Sequence, residues 1–132
     1  NIIIVCADIE DQIMSLQTKD RKDFMNESGI KNTGLDNLIK AGYSTLGLST
    51  FFTSGPEESR AWTIEKNSKA SDAAGVIHSD FKKKFIRAET VSHEDFIKYS
   101  GFSECKNVGK LRLEGKDYIV NDGDVMYFRI GS

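Results

Sequence analysis

The sequence predicts an α+β protein in which a short helical stretch precedes a mixed domain. Three observations carry that prediction. Up to Tyr43 the apolar residues recur at helical spacing. From Leu48 they shift to the alternation of strands, with a turn-rich break at Ser54-Gly55-Pro56-Glu57-Glu58. The remaining segments follow in the order β-β-α-β-short helix-β-β, which puts one main helix across a mixed sheet.

The elements follow in order. Ile2-Ile3-Ile4-Val5 is an unbroken β-branched run, the pattern of a strand covered on both faces. It stands alone, which leads us to expect a C-terminal fragment of a longer chain. The orphaned strand is then expected to be mobile or to pair with another chain, because exposed strand edges invite pairing. Asp8 is placed to cap a helix from Ile9 to Leu16, with Ile9, Ile13 and Leu16 on one face. Thr18 to Glu27 reads as a mostly polar helix that buries Phe24 and Met25 and ends before Gly29. After Thr33-Gly34, Leu35 to Ser44 forms a third helix with Leu35, Leu38, Ile39 and Tyr43 on one side, and Gly47 stops it.

Thr50–Thr53 and Arg60–Ile64 flank a turn in which Pro56 fixes φ and Gly55 permits a positive one, so they read as a hairpin. Asn67 or Ser68 precedes a helix with a small face, Ala70, Ala73 and Ala74, which lets its backbone lie close to a sheet; Phe81 and Phe85 are expected to continue that apolar face. Ile86 to Val91 is a strand, Ser92 caps a short helix through Tyr99, and Gly101–Gly109 is a loop or weak helix. Lys116–Val120 and Val125–Ile130 read as two strands joined by the tight turn Asn121-Asp122-Gly123-Asp124.

Composition narrows the function. The chain has 132 residues, 39% apolar and 29% charged, which is ordinary globular composition. Eighteen Lys and Arg stand against 20 Asp and Glu, a net charge of −2, so any nucleic-acid contact must rest on a local patch. No apolar run approaches the ~20 residues of a membrane span. Cys6 and Cys105 are too few for a disulfide scaffold or a zinc site and read as free thiols of a reducing, cytoplasmic compartment.

Lys82-Lys83-Lys84 with Arg87 is the densest basic cluster, placed to meet RNA phosphate beside Phe81 or Phe85, or to form a solvated helix end. His78 and Asp80 read as an acid–base pair or as a helix-end contact, and no nucleophile accompanies them. Asp122-Gly123-Asp124 lacks the further ligands of a calcium loop, and turn chemistry accounts for it. Phe51, Phe52 and Trp62 lie on adjacent hairpin strands and, with His78, are the candidate interface residues; alternation sends Phe51 and Phe52 to opposite faces, so at least one of those two is core. Cys6 is expected to pack.

Four blocks of sequence go beyond class. Phe51-Phe52-Thr53-Ser54-Gly55-Pro56-Glu57-Glu58-Ser59-Arg60-Ala61-Trp62-Thr63-Ile64 resembles the opening of the TGS domain in the YchF family of Obg-like ATPases. Ala73-Ala74-Gly75-Val76-Ile77-His78-Ser79-Asp80-Phe81 with Phe85-Ile86-Arg87-Ala88-Glu89 does so too, as does Glu114-Gly115-Lys116-Asp117-Tyr118-Ile119-Val120 followed by Asp122-Gly123-Asp124-Val125. Val5-Cys6-Ala7-Asp8-Ile9-Glu10 looks like the family's last nucleotide-site loop, which lies near the base. The resemblance implies that residues 1–45 end a P-loop nucleotide domain and that residues 46–132 are a ubiquitin-like β-grasp TGS domain. It implies Cys6 and Ala7 as a partial nucleotide contact, and ATP or GTP with Mg²⁺ as cofactors of the intact parent. It implies a ribosome or RNA as partner, beside the missing N-terminal nucleotide domain. The sequence has no Gly-x-x-x-x-Gly-Lys-Ser/Thr loop to cradle phosphates. The fragment itself is therefore expected to hold no cofactor and to have no catalytic residues. The alternative is a ubiquitin-like protein–protein module that makes no nucleic-acid contact.

Overall fold

The computed structural model describes residues 2–131, which divide after Leu46 into two compact units. The first holds three helices, α1 (Ala7–Ser15), α2 (Thr18–Glu27) and α3 (Gly34–Thr45). Residues 2–5 are not in a strand, and Ile2 and Ile4 are 94% and 88% exposed. The β-branched run states a preference for extended backbone, but the five strands of the sheet lie between Leu48 and Ile130, and the run has no ladder partner among the described residues. Cys6, not Asp8, occupies the N-cap of α1, with no side-chain cap bond. Arg21 satisfies the other end of α1, its Nε and Nη2 donating to the carbonyls of Leu16 and Met14, both at 3.1 Å.

The polar helix α2 has its sequence-predicted bounds, and Gly29 follows its Ser28 C-cap at φ +69°. A capping box starts α3: Thr33 Oγ1 accepts from the Asp36 amide and the Asp36 carboxylate accepts from the Thr33 amide. The expected apolar stripe of α3 is exposed, with Leu35, Leu38 and Ile39 each about half accessible.

The second unit runs β1 (Leu48–Ser54), β2 (Ser59–Glu65), α4 (Ala70–Ile77), α5 (Ser79–Lys83), β3 (Phe85–Ser92), α6 (His93–Lys98), α7 (Phe102–Asn107), β4 (Arg112–Glu114) and β5 (Asp124–Ile130). The sheet order is β2-β1-β5-β3-β4. The β1–β5 pair is parallel and the other pairs are antiparallel, so the sheet is mixed. Ala70 and Ala73 of α4 are fully buried against Phe51, Ile64, Ala88 and Met126, which is what a small-residue face permits.

At the break before α4, Lys69 is the N-cap residue, Asn67 sits at φ +64°, and Ser68 Oγ donates to the Glu65 carbonyl. Two expectations are corrected here. Phe81 and Phe85 do not extend α4, because the backbone turns extended at His78 (φ −158°) and a separate helix begins. Lys116–Val120 is not a strand. Its backbone instead meets the start of α4: the Ala70 amide donates to the Tyr118 carbonyl at 2.8 Å, the Ser71 amide to the Lys116 carbonyl at 3.3 Å, and the Val120 amide to the Ser68 carbonyl at 3.0 Å. The first two bonds satisfy orphan donors of the helix N-terminus. Gly101–Gly109 contains the helix α7, and Gly101 precedes it at φ +122°.

Candidate functional site

The basic cluster divides between two surroundings. On α5, Lys82 Nζ lies 2.7 Å from the Asp72 carboxylate of α4. Lys83 ends the same helix and Lys84 is its C-cap residue, positions where cations face helix carbonyls. Neither has an ion-pair partner among the described residues. Arg87 lies on β3, past an irregularity in the ladder, and pairs in register with Arg129 of β5.

Arg129 is the residue that sequence reasoning missed. Its Nε–H donates to Glu89 at 2.9 Å, and its guanidinium carbon sits 4.6 Å from the centre of the Tyr127 ring. The Glu89 hydrogen bond and charge hold the Arg129 pKa above its ordinary value, so the side chain is a permanent cation. Tyr127 is 44% exposed. Alternation along β5 already put Tyr127 and Arg129 on one face; what the sequence lacked was the pairing with β3.

The hairpin aromatics also separate. Phe51 is fully buried in the core and is removed as an interface candidate. Phe52 points to the opposite face, half-buried, its ring 5.5 Å from that of His93. Trp62 stacks on Phe51 with ring centres 6.5 Å apart, donates its Nε1–H to Thr53 Oγ1 at 2.9 Å, and carries Arg60 at 4.3 Å above its ring. Trp62, Arg60, Ile77, Phe81 and Phe128 line a groove of about 320 Å³ between the hairpin, the α4–α5 corner and β5.

His78 is the N-cap residue of α5. Its Nδ1 accepts from the Asp80 amide at 3.2 Å and lies 3.9 Å from the Asp80 carboxylate, and its ring rests 5.8 Å from that of Phe81. The acid–base pair is thus an exposed helix cap beside the groove. Cys6 does not pack: it and Ala7 are exposed at the start of α1, where the Cys6 carbonyl accepts from the Glu10 amide at 3.0 Å. Within that unit the Glu10 carboxylate accepts from the Gly34 amide, and Val5, Ala7, Met14, Leu35 and Leu38 line a groove of about 440 Å³.

The second unit, with the small-faced helix α4 across a mixed five-stranded sheet, has the form of a small α+β domain. The comparisons narrow that class. Residues 48–131 match the family model YchF-GTPase_C, described as a protein of unknown function (DUF933). The chain belongs to this YchF family. It is 54% identical over 128 residues to the ribosome-binding ATPase YchF of Bacillus subtilis strain 168, covering 97% of this chain and 35% of that protein. It is 53% identical over 127 residues to the protein of the same name from Escherichia coli O157:H7, again covering 35% of it. The structure of the Schizosaccharomyces pombe YchF GTPase superposes with a TM-score of 0.78 at 32% identity, over 95% of this chain and 33% of that one. The chain thus spans about a third of the length of the relatives it matches.

A nucleotide with Mg²⁺ needs carboxylate or hydroxyl ligands and a phosphate cradle. The described residues include no group of three or more His, Cys, Asp or Glu that could hold a metal, and the sequence has no phosphate-binding loop. No step is derived through a nucleotide or Mg²⁺.

Proposed function

We propose that this chain is the C-terminal binding module of a ribosome-associated ATPase of the YchF type. Residues 1–45 end the P-loop nucleotide domain, and residues 46–132 are a TGS domain of the β-grasp fold. The parent hydrolyses ATP or GTP with Mg²⁺, and this part grips RNA without hydrolysing nucleotide. A ribosome contact also implies the cytoplasm. The strand order β2-β1-β5-β3-β4, with parallel β1 and β5 at the centre and α4 between β2 and β3, supports the β-grasp reading. The names of the relatives support the ribosome.

The observation that carries the RNA contact is the set of cations without carboxylate partners, Lys83, Lys84 and Arg87, gathered where α5 runs into β3 of a chain whose net charge is −2. Phosphate contacts release counterions, so such binding must weaken as salt rises. Ribosome sedimentation with the 132-residue chain across a salt series tests this. The expected result is binding at low salt that weakens with salt and is lost on reversing Lys82, Lys83 and Lys84 to Glu. No binding at low salt, or binding indifferent to that reversal, removes the ribosomal RNA role.

The groove at Trp62 favours a second reading, a protein–protein module that takes an apolar side chain between Trp62 and Phe81. Binding insensitive to salt but lost in Trp62→Ala would select it.

A further inference from the structure

The sheet has two faces of different character. Phe51, Ala88 and Met126 face the core with Ala70 and Ala73 of α4. Residues of the opposite parity lie on the other face: at one end Phe52 pairs with Ala61 and with Val125, which pairs with Val91, both valines being buried, and farther along Tyr127 pairs with Glu89, which pairs with Leu113. There Tyr127, on the central strand β5, is 44% exposed and Leu113, on the edge strand β4, is 60% exposed. Beside them Arg87 and Arg129 are directly opposite across the β3–β5 ladder. Like charges at such a pair repel.

Glu89 offsets that repulsion only in part, because it takes Nε of Arg129 at 2.9 Å. Arg87 has no carboxylate partner among the described residues. Of the two facing guanidiniums, on a strand pair from the interior of the sheet, only Arg129 has a carboxylate partner, and it is also stacked on an exposed aromatic ring. The charge left over calls for an anion, and the stacked pair offers a flat face.

We propose that this face binds single-stranded RNA, Arg87 and Arg129 holding a phosphate while an unpaired base stacks on the Tyr127–Arg129 pair. The proposal rests on the RNA reading above and deepens it by naming the class of RNA. A phosphate accepts hydrogen bonds from planar guanidinium forks. Unstacked bases add to aromatic rings and to arginine planes. A duplex keeps its bases stacked on each other, so it can offer this face its phosphates but no base. Strands hold the platform more rigidly than loops would.

The test uses the 132-residue chain, an oligouridylate single strand and an RNA duplex of equal phosphate number at fixed salt. The single strand binds more tightly. Tyr127→Ala weakens it roughly tenfold, about 1.4 kcal/mol for the one base stack removed, and leaves duplex affinity unchanged. Tyr127→Phe, which keeps the ring, binds as the parent chain does. Arg87→Gln weakens the single strand and lowers its salt slope by about one, whereas Lys106→Gln on α7 leaves both unchanged. Equal affinity for strand and duplex, or a Tyr127→Ala variant that binds normally, overturns the proposal. If ribosomes are bound in the salt-dependent manner yet Tyr127→Ala has no effect, the platform fails and the ribosome reading stands. If the single strand is bound through Tyr127 but ribosomes are not bound at low salt, the reverse holds.

Discussion

Arg112 Nη2 donates to the carboxylate of Asp124 at 2.9 Å, joining the short edge strand β4 to the first residue of β5. Asp124 is only 3% exposed, and it also accepts from Tyr118 Oη at 2.7 Å and from the Asn121 amide at 3.0 Å. The turn chemistry read from Asp122-Gly123-Asp124 is present, with Gly123 at φ +85°. The second aspartate does more: it ties the non-strand segment 118–121 to the sheet. Asp124→Ala should therefore destabilise the chain by roughly 3 kcal/mol, since bonds to a charged acceptor are lost together and Tyr118 and Asn121 are left short of partners. Arg112 is 43% exposed and regains water, which keeps the loss below that of breaking a fully buried pair. Urea denaturation would measure it, and Asp124→Asn should lose less.

Thr90 presents the opposite case. It is fully buried on β3, and its Oγ1 has no hydrogen-bond partner among the described residues. A buried hydroxyl without a partner has lost water and gained nothing. Thr90→Val keeps the shape and removes the deficit, so it should raise the unfolding free energy by about 1 kcal/mol. A denaturation midpoint that fell instead would mean that the hydroxyl is satisfied in solution.

The two thiols should behave differently. Cys6 is exposed and Cys105 is buried. Burial pushes the Cys105 pKa up, and the charges of Asp95 and Glu104 push it the same way. Its Sγ–H donates to the Asp95 carbonyl at 3.4 Å, which favours the protonated form. A thiol-disulfide reagent should thus label Cys6 at once in the native chain and Cys105 only on unfolding. The sign for stability follows. The folded chain holds the Cys105 proton more tightly than the unfolded chain, so this contribution is complete below the unfolded thiol pKa. It is lost as pH rises through the higher folded value. Stability should decline in that alkaline window, and Cys105→Ala should remove that part of the decline.

Much of the fold was legible because local chemistry and tertiary demand agree. The hairpin was readable from the turn at Pro56, although Gly55 does not use the positive φ it permits; α2 was readable from the Gly29 that follows it, and α6 from Ser92, whose Oγ accepts from the Asp95 amide at 3.2 Å. Lys116–Val120 misled because burial and hydrogen bonding part company there. Tyr118 and Val120 do face the core, as alternation requires, but the backbone bonds go to the start of α4 instead of a neighbouring strand. Periodicity reports which side chains are covered and is silent about which backbone meets which. The same limit hid Arg129 from the basic cluster: Lys84 and Arg87 are neighbours in sequence, whereas Arg129 joins them only through the β3–β5 ladder. Cys6 was misplaced because a small thiol beside a β-branched run reads as core, and the run has no sheet to pack in here.

The lysine triplet should not act as a unit. Lys82 is held at 2.7 Å by Asp72, while Lys83 and Lys84 have no ion-pair partner among the described residues. A side chain already engaged with a carboxylate must give up that contact before it can meet a phosphate, whereas a solvated ammonium exchanges only water and counterions. Single reversals to Glu at Lys83 and Lys84 should each weaken ribosome binding and lower the salt slope by about one or more. Neutralising Lys82 to Gln should change the slope less, because its charge is already partly offset. Lys82→Glu would also set two carboxylates against each other across the α4–α5 corner and lower stability slightly, by a few tenths of a kcal/mol at such an exposed pair. Sedimentation of each variant with ribosomes at two salt concentrations, beside its urea midpoint, separates the two effects. Equal slopes for Lys82→Gln, Lys83→Gln and Lys84→Gln would mean that the Asp72 contact does not persist in solution.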